Sequence, residues 1–138
     1  MKFSETFEHT ADIGIRAWGD SRAELYEALA EGLAELICPR ALVRASVQHR
    51  LSVEAPDGEG LAVAFLGELA AWSQGQRMCV AQVTVESVTD NTLEAQISAE
   101  PLDASRHELG AEIKAVTYHA LQIRQENDRW VGQVILDI

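Results

Sequence analysis

A chain of 138 residues with 47% hydrophobic content can bury one sizeable core, so residues 1–138 are read as a single domain. Eleven Lys and Arg against twenty-two Asp and Glu give a formal net charge of -11, which opposes direct capture of nucleic acid through its phosphates and suits a cation or a basic protein partner. No basic start leads into an apolar run and a small-residue cleavage site, and no apolar stretch has membrane-span length. The expectation is therefore a cytoplasmic domain without membrane association.

Residues 2–8 and 13–19 alternate like strands around the short link His9-Thr10-Ala11-Asp12, which predicts a first hairpin with Asp12 at its tip. Ser21 and Glu24 then have the capping-box spacing of a helix start, and Leu25, Leu29, Leu33, Leu36 and Ile37 supply the apolar stripe of a helix that Pro39 ends. Glu24, Glu27, Glu31 and Glu35 form an acidic face on that helix, read as solvated surface with docking of a basic partner as the alternative. Val47, His49, Leu51 and Val53 alternate as a half-buried strand, and Pro56-Asp57-Gly58 is a turn. The four-residue spacing of Leu61, Phe65 and Leu69, continued by Trp72, predicts a second helix with one buried face. Beyond it, Val83 and Val85, the turn Thr89-Asp90-Asn91, and Leu93, Ala95 and Ile97 predict a hairpin. Residues 101–110 form the longest irregular segment, and strands over 113–123 and 130–138 flank the polar turn Glu126-Asn127-Asp128. The fold class that follows is α+β, a mainly antiparallel sheet with two principal helices packed on one face.

No P-loop, dinucleotide fingerprint, nucleophile elbow or RNP-like aromatic pattern is present, so the sequence carries no signal for an ordinary catalytic or nucleotide site. Cys38 and Cys79 lack zinc-type spacing and a dense disulfide pattern, and read as small buried hydrophobes. His49 and His119 lie on predicted strands and are left out of the site. The remaining chemistry sits on turns and ends: His9, Thr10 and Asp12 in the first link, His107 and Glu108 in the irregular segment, and Asp137 beside Ile138. If the first turn and the last strand meet, Asp12, Asp137 and the α-carboxylate of Ile138 converge, and three anions favour a hard divalent cation over zinc. The residues alone leave a second reading open, in which Asp12 makes an Asx-type turn and Asp137 faces solvent near a frayed end. Lys114, one of two lysines in the chain, reads either as a solubilising surface residue or as a phosphate or carboxylate contact.

The run from Phe7 to Gly19, FEHTADIGIRAWG, resembles the opening signature of the archease family. The segments His107-Glu108-Leu109-Gly110, Glu112 to His119, and Trp130 to Ile138 are similar to its closing segments, in the same order. The resemblance runs from about residue 5 to 138. It departs from the family at Ser73-Gln74-Gly75-Gln76, where a more aromatic and acidic stretch is expected. It implies a non-catalytic activator of an RtcB-type RNA ligase, an enzyme joining RNA ends that carry a 2′,3′-cyclic or 3′-phosphate to a 5′-hydroxyl. Such an activator promotes guanylylation of the ligase histidine from GTP and multiple turnover, in tRNA splicing or RNA repair. The family's metal site maps onto Asp12, Asp137 and the carboxylate of Ile138, with calcium as the first expectation and magnesium or manganese as alternatives. His9, His107 and Lys114 are candidates for the partner interface or for support of the site. Two other readings stand beside it: a metal-independent, chaperone-like modulator of another RNA-processing enzyme, such as a tRNA methyltransferase, and an independent metal-dependent hydrolase.

Overall fold

The computed structural model describes every residue except Thr10 and Ala11, and for Glu8 and His9 the backbone only. The predicted first hairpin is β1 (Phe3–His9) and β2 (Asp12–Gly19), and the link residue Thr10 lies outside the described residues. Helix α1 (Arg22–Ile37) starts where the capping-box spacing put it: the Glu24 N–H donates to Ser21 Oγ at 3.1 Å, while Glu24 Oε1 accepts the Asp20 N–H at 2.9 Å. It ends at Cys38, just before Pro39. Then come β3 (Val47–Glu54), α2 (Gly58–Gly75, capped by the Asp57 side chain), β4 (Met78–Val88), β5 (Thr92–Pro101), β6 (Ala115–Glu126) and β7 (Arg129–Asp137). The second helix begins about one turn before Leu61 because Asp57 accepts the Gly60 N–H at 2.7 Å and so moves the start into the glycine-rich turn. Asn127, at φ 57°, closes the β6–β7 hairpin in the left-handed region that Asn tolerates.

All strand pairs are antiparallel, and they divide into two sheets: a four-stranded one in the order β1-β2-β7-β6 and a three-stranded one in the order β3-β5-β4. Helix α1 packs on β1, β2 and β7 of the first sheet and also on β4 of the second, so it is buried along most of its girth, and α2 bridges β3 to β6. One core runs through both sheets, with Ile15, Leu25, Leu29, Leu33, Phe65, Leu69, Ile97, Val134 and Leu136 fully buried. Burial of this kind contributes about 1.5–3 kcal/mol per large side chain.

Two of the four glutamates on the acidic face of α1 correct the solvated-surface reading, while Glu35 stays exposed. Glu27 and Glu31 reach across to the outer edge of β4, where Glu27 Oε2 accepts the Val85 N–H at 2.7 Å and Glu31 Oε2 accepts the Val83 N–H at 3.1 Å. Lys2 Nζ donates to Glu27 Oε1 at 2.7 Å, and Arg40 Nη1 donates to the Ala81 carbonyl at 3.1 Å. An edge strand with open N–H groups invites intermolecular pairing, and these side chains close it.

Candidate metal centre at the β2–β7 strand ends

The inward residues of β2 are Ile15 and Ala17, both fully buried, so the alternation of a strand turns Asp12, Gly14 and Arg16 to the opposite face. On β7 the buried Val134 and Leu136 likewise turn Gln133, Ile135 and Asp137 outward. The two strands run antiparallel with Asp12 as the register partner of Asp137, and Arg16 Nε donating to Gln133 Oε1 at 2.9 Å belongs to the same face. Residues directly opposite in an antiparallel pair have Cβ atoms roughly 4.5–5.5 Å apart. The two aspartates are thus neighbours across the ladder, about 125 residues apart in the chain (137 minus 12).

The row extends on both sides. His9 is the register partner of Asp12 on β1, and its side chain lies outside the described residues; Ala115 is the partner of Asp137 on β6. Lys114 precedes Ala115, donates its backbone N–H to the Asp137 carbonyl at 2.8 Å, and is itself exposed. Ile138 packs its side chain on the core, which holds the carboxyl end of β7 beside the aspartates. Two rungs along the ladder, on the same face, Phe7, Gly14 and Ile135 make an apolar floor. The Phe7 ring lies flat where any Cβ on residue 14 would stand, and the Arg16 guanidinium carbon sits 4.2 Å above that ring.

His107 is engaged elsewhere. It is buried, its Nδ1 accepts the Asp103 N–H at 2.9 Å, and this leaves Nε2 as the donor to Glu100 Oε1 at 2.7 Å. Glu100 also receives Arg106 Nη2 at 3.0 Å and the Arg44 N–H at 2.8 Å, and the Arg106 guanidinium, then the Arg44 amide, bring its carboxyl down to about 2. The imidazole ties residues 102–114 to β5 of the three-stranded sheet and is not part of the aspartate row. The stretch that departs from the family pattern anchors the same segment from its other end. Gln74 accepts the Ile113 N–H at 2.7 Å and donates to the Ile113 carbonyl at 3.0 Å, one residue before Lys114. Ser73 Oγ donates to the Met78 carbonyl at 2.8 Å. His49, left out of the site, stacks on Trp72 with ring centroids 4.2 Å apart.

The donor chemistry of the row fits a hard cation: two adjacent carboxylates, Asp137 exposed and Asp12 half-buried, beside the carboxyl end of β7. Among the described residues, no three His, Cys, Asp or Glu side chains gather closely enough to hold a metal ion. The ligand shell of an ion here therefore needs the Ile138 carboxylate, backbone oxygens or water in addition to the two aspartates. Among the described residues, no helix is long and apolar enough to cross a membrane.

Fold and row together define a small α+β protein of two antiparallel sheets and two helices, with an acidic pair where the first hairpin meets the last strand. Residues 4–138 match the Archease protein family, and the chain belongs to it. The archease of Pyrococcus abyssi is 37% identical over 142 residues and that of Sulfurisphaera tokodaii 30% over 139, both matches covering all of each chain. The solution structure of protein 1598 from Methanobacterium thermoautotrophicum superposes with a TM-score of 0.82 at 28% identity, over 98% of both chains. A crystal structure from Thermotoga maritima, described as an archease and possible chaperone, shares the fold with a TM-score of 0.66 at 21% identity, over 97% of this chain and 96% of that one.

Proposed function

We propose that this archease-family protein is a non-catalytic accessory factor of an RtcB-type RNA ligase in the cytoplasm. In this reading it promotes GTP-dependent guanylylation of the ligase histidine and multiple turnover, in tRNA splicing or RNA repair. It does so with a divalent cation, calcium before magnesium or manganese, held by Asp12, Asp137 and the Ile138 carboxylate. The observation that carries the reading is the direct register of Asp12 with Asp137 in a chain of this family. A bound divalent cation there supplies charge neutralisation toward a phosphoryl group. The chain's own residues hold two like charges side by side on a sheet face, keep the end of β7 in place through Ile138, and set Lys114 at the rim. The net charge of -11 makes the ligase, rather than RNA, the expected contact.

The test is transfer of labelled GMP to purified ligase with and without this protein, and with folded Asp12→Ala and Asp137→Ala variants. Acceleration by the wild type and its loss in both variants is the expected result, and undiminished acceleration by both variants refutes the metal role. The description of the Thermotoga relative as a possible chaperone favours a second reading, a metal-independent modulator of another RNA-processing enzyme such as a tRNA methyltransferase. That reading predicts partner binding indifferent to chelator.

A further inference from the structure

Cys38, at the C-terminal cap of α1, and Cys79, in β4, are both free and both 1% exposed, and their Sγ atoms lie 2.6 Å apart. Nothing in the ligase reading uses them. They share a wall of a cavity of about 360 Å³ that is also lined by Ser73, Arg77, Met78 and Gly110. The cavity lies under the irregular segment, whose Gly110 and Ala111 N–H groups donate to the Ile37 and Leu36 carbonyls next to Cys38. An isolated buried thiol acts as an inert hydrophobe. Two in contact beside a cavity have a reaction available that neither has alone.

We propose that Cys38 and Cys79 form a reversible intramolecular disulfide when a small hydroperoxide enters this cavity. The burial of both sulfurs excludes a bulky disulfide oxidant and leaves room for one of peroxide size. Desolvation, then the Cys38 sulfur, pushes the Cys79 thiol up to about 12. Either sulfur can attack first, and both orders give the same bond; one order begins with Cys38. The Cys38 thiolate attacks one oxygen of hydrogen peroxide, the O–O bond breaks, and the products are Cys38 sulfenic acid and hydroxide, which takes up a proton as water. The Cys79 sulfur then attacks the Cys38 sulfur, the S–O bond breaks, and hydroxide leaves with the Cys79 proton as a second water. Two thiols are oxidised and one peroxide is reduced to two waters. The new bond joins α1 to β4 beneath the segment that leads to Lys114.

The experiment treats reduced wild-type protein with hydrogen peroxide, then denatures it and alkylates free thiols. The expected product has lost two hydrogens by intact mass and both alkylatable thiols, regains both with dithiothreitol, and shows slower amide exchange at Gly110 and Ala111. A Cys79→Ser variant accumulates a Cys38 sulfenic acid that dimedone traps. Wild-type protein that keeps both thiols, cross-links between chains, or carries sulfinic acid on one cysteine overturns the proposal, whatever the folding of the variant.

Discussion

Replacing Asp137 with Asn should move apo and cation-bound stability in opposite directions. The register sets the Asp12 and Asp137 carboxylates side by side, and Asp137 is exposed, so a water-like dielectric applies. At about 5 Å, two unit charges then repel by ~0.8 kcal/mol, within the range of roughly 0.2–1 kcal/mol for cross-strand pairs. Asp137→Asn removes this repulsion, and the apo variant should melt about 3 °C above the wild type at low salt, using ~4 °C per kcal/mol for a domain of this size. The gain shrinks as salt screens the pair. Calcium at about 100 times its dissociation constant should raise the wild-type Tm by about 10 °C, from ~2.7 kcal/mol of linkage, and should leave the variant nearly unmoved. Calorimetry in chelator and in calcium, at two ionic strengths, measures all four corners. An apo variant that melts lower than the wild type, or equal calcium shifts in both proteins, refutes the reasoning.

Glu100 makes stability fall in acid. Its folded-state carboxyl lies near 2 against an ordinary 4.5, so its contribution is complete above about pH 4.5 and lost as pH falls through 2; Glu100→Gln should lower stability at pH 7 and flatten the decline across that window in urea titrations. Glu27→Ala leaves the Val85 N–H without its acceptor and should cost about 1–3 kcal/mol in urea unfolding, with increased self-association by sedimentation as the β4 edge opens. Gly14→Ala places a methyl where the Phe7 ring lies, and should cost about 1–3 kcal/mol and weaken calcium binding measured by calorimetry, because the displaced ring borders the aspartate row.

What the sequence made legible was local. Ser21 and Glu24 located the start of α1 because a cap is a contact between residues three apart, and alternation in 47–53 and 93–97 located β3 and β5 because a strand face repeats every second residue. The division into two sheets was not legible, since a period of two says nothing about which strand pairs with which. Nor could Glu27 and Glu31 be told from solvated glutamates, because their acceptor role depends on β4 lying more than fifty residues downstream. The same holds for His107, whose partner Glu100 is close in sequence but is the penultimate residue of β5, a strand end that no local pattern marks. The contact between Cys38 and Cys79 joins a helix cap to a strand start, and spacing alone gave no reason to pair them. Asp12 and Asp137 were joined in the sequence only by the family resemblance, and the β2–β7 register makes them neighbours.

That register is set by the core and not by the site. β7 is an interior strand, paired with β2 on one side and β6 on the other, and its Val134 and Leu136 are fully buried. A one-residue slip would take both off the core face, forfeiting up to about 3–6 kcal/mol of burial, and would turn the Asp137 carboxylate inward. The repulsion between Asp12 and Asp137 is below about 1 kcal/mol, so it cannot shift the strands that impose it. The fold therefore sets the two carboxylates side by side at the strand ends through the burial of their neighbours, and a cation bound as proposed would meet carboxylates already in place. Preorganisation of this kind lowers the ordering cost of binding. It also predicts where affinity is lost: Leu136→Ala, whose side chain never faces the ion, should weaken cation binding by loosening β7, whereas Gln133→Ala on the same outward face should leave it unchanged.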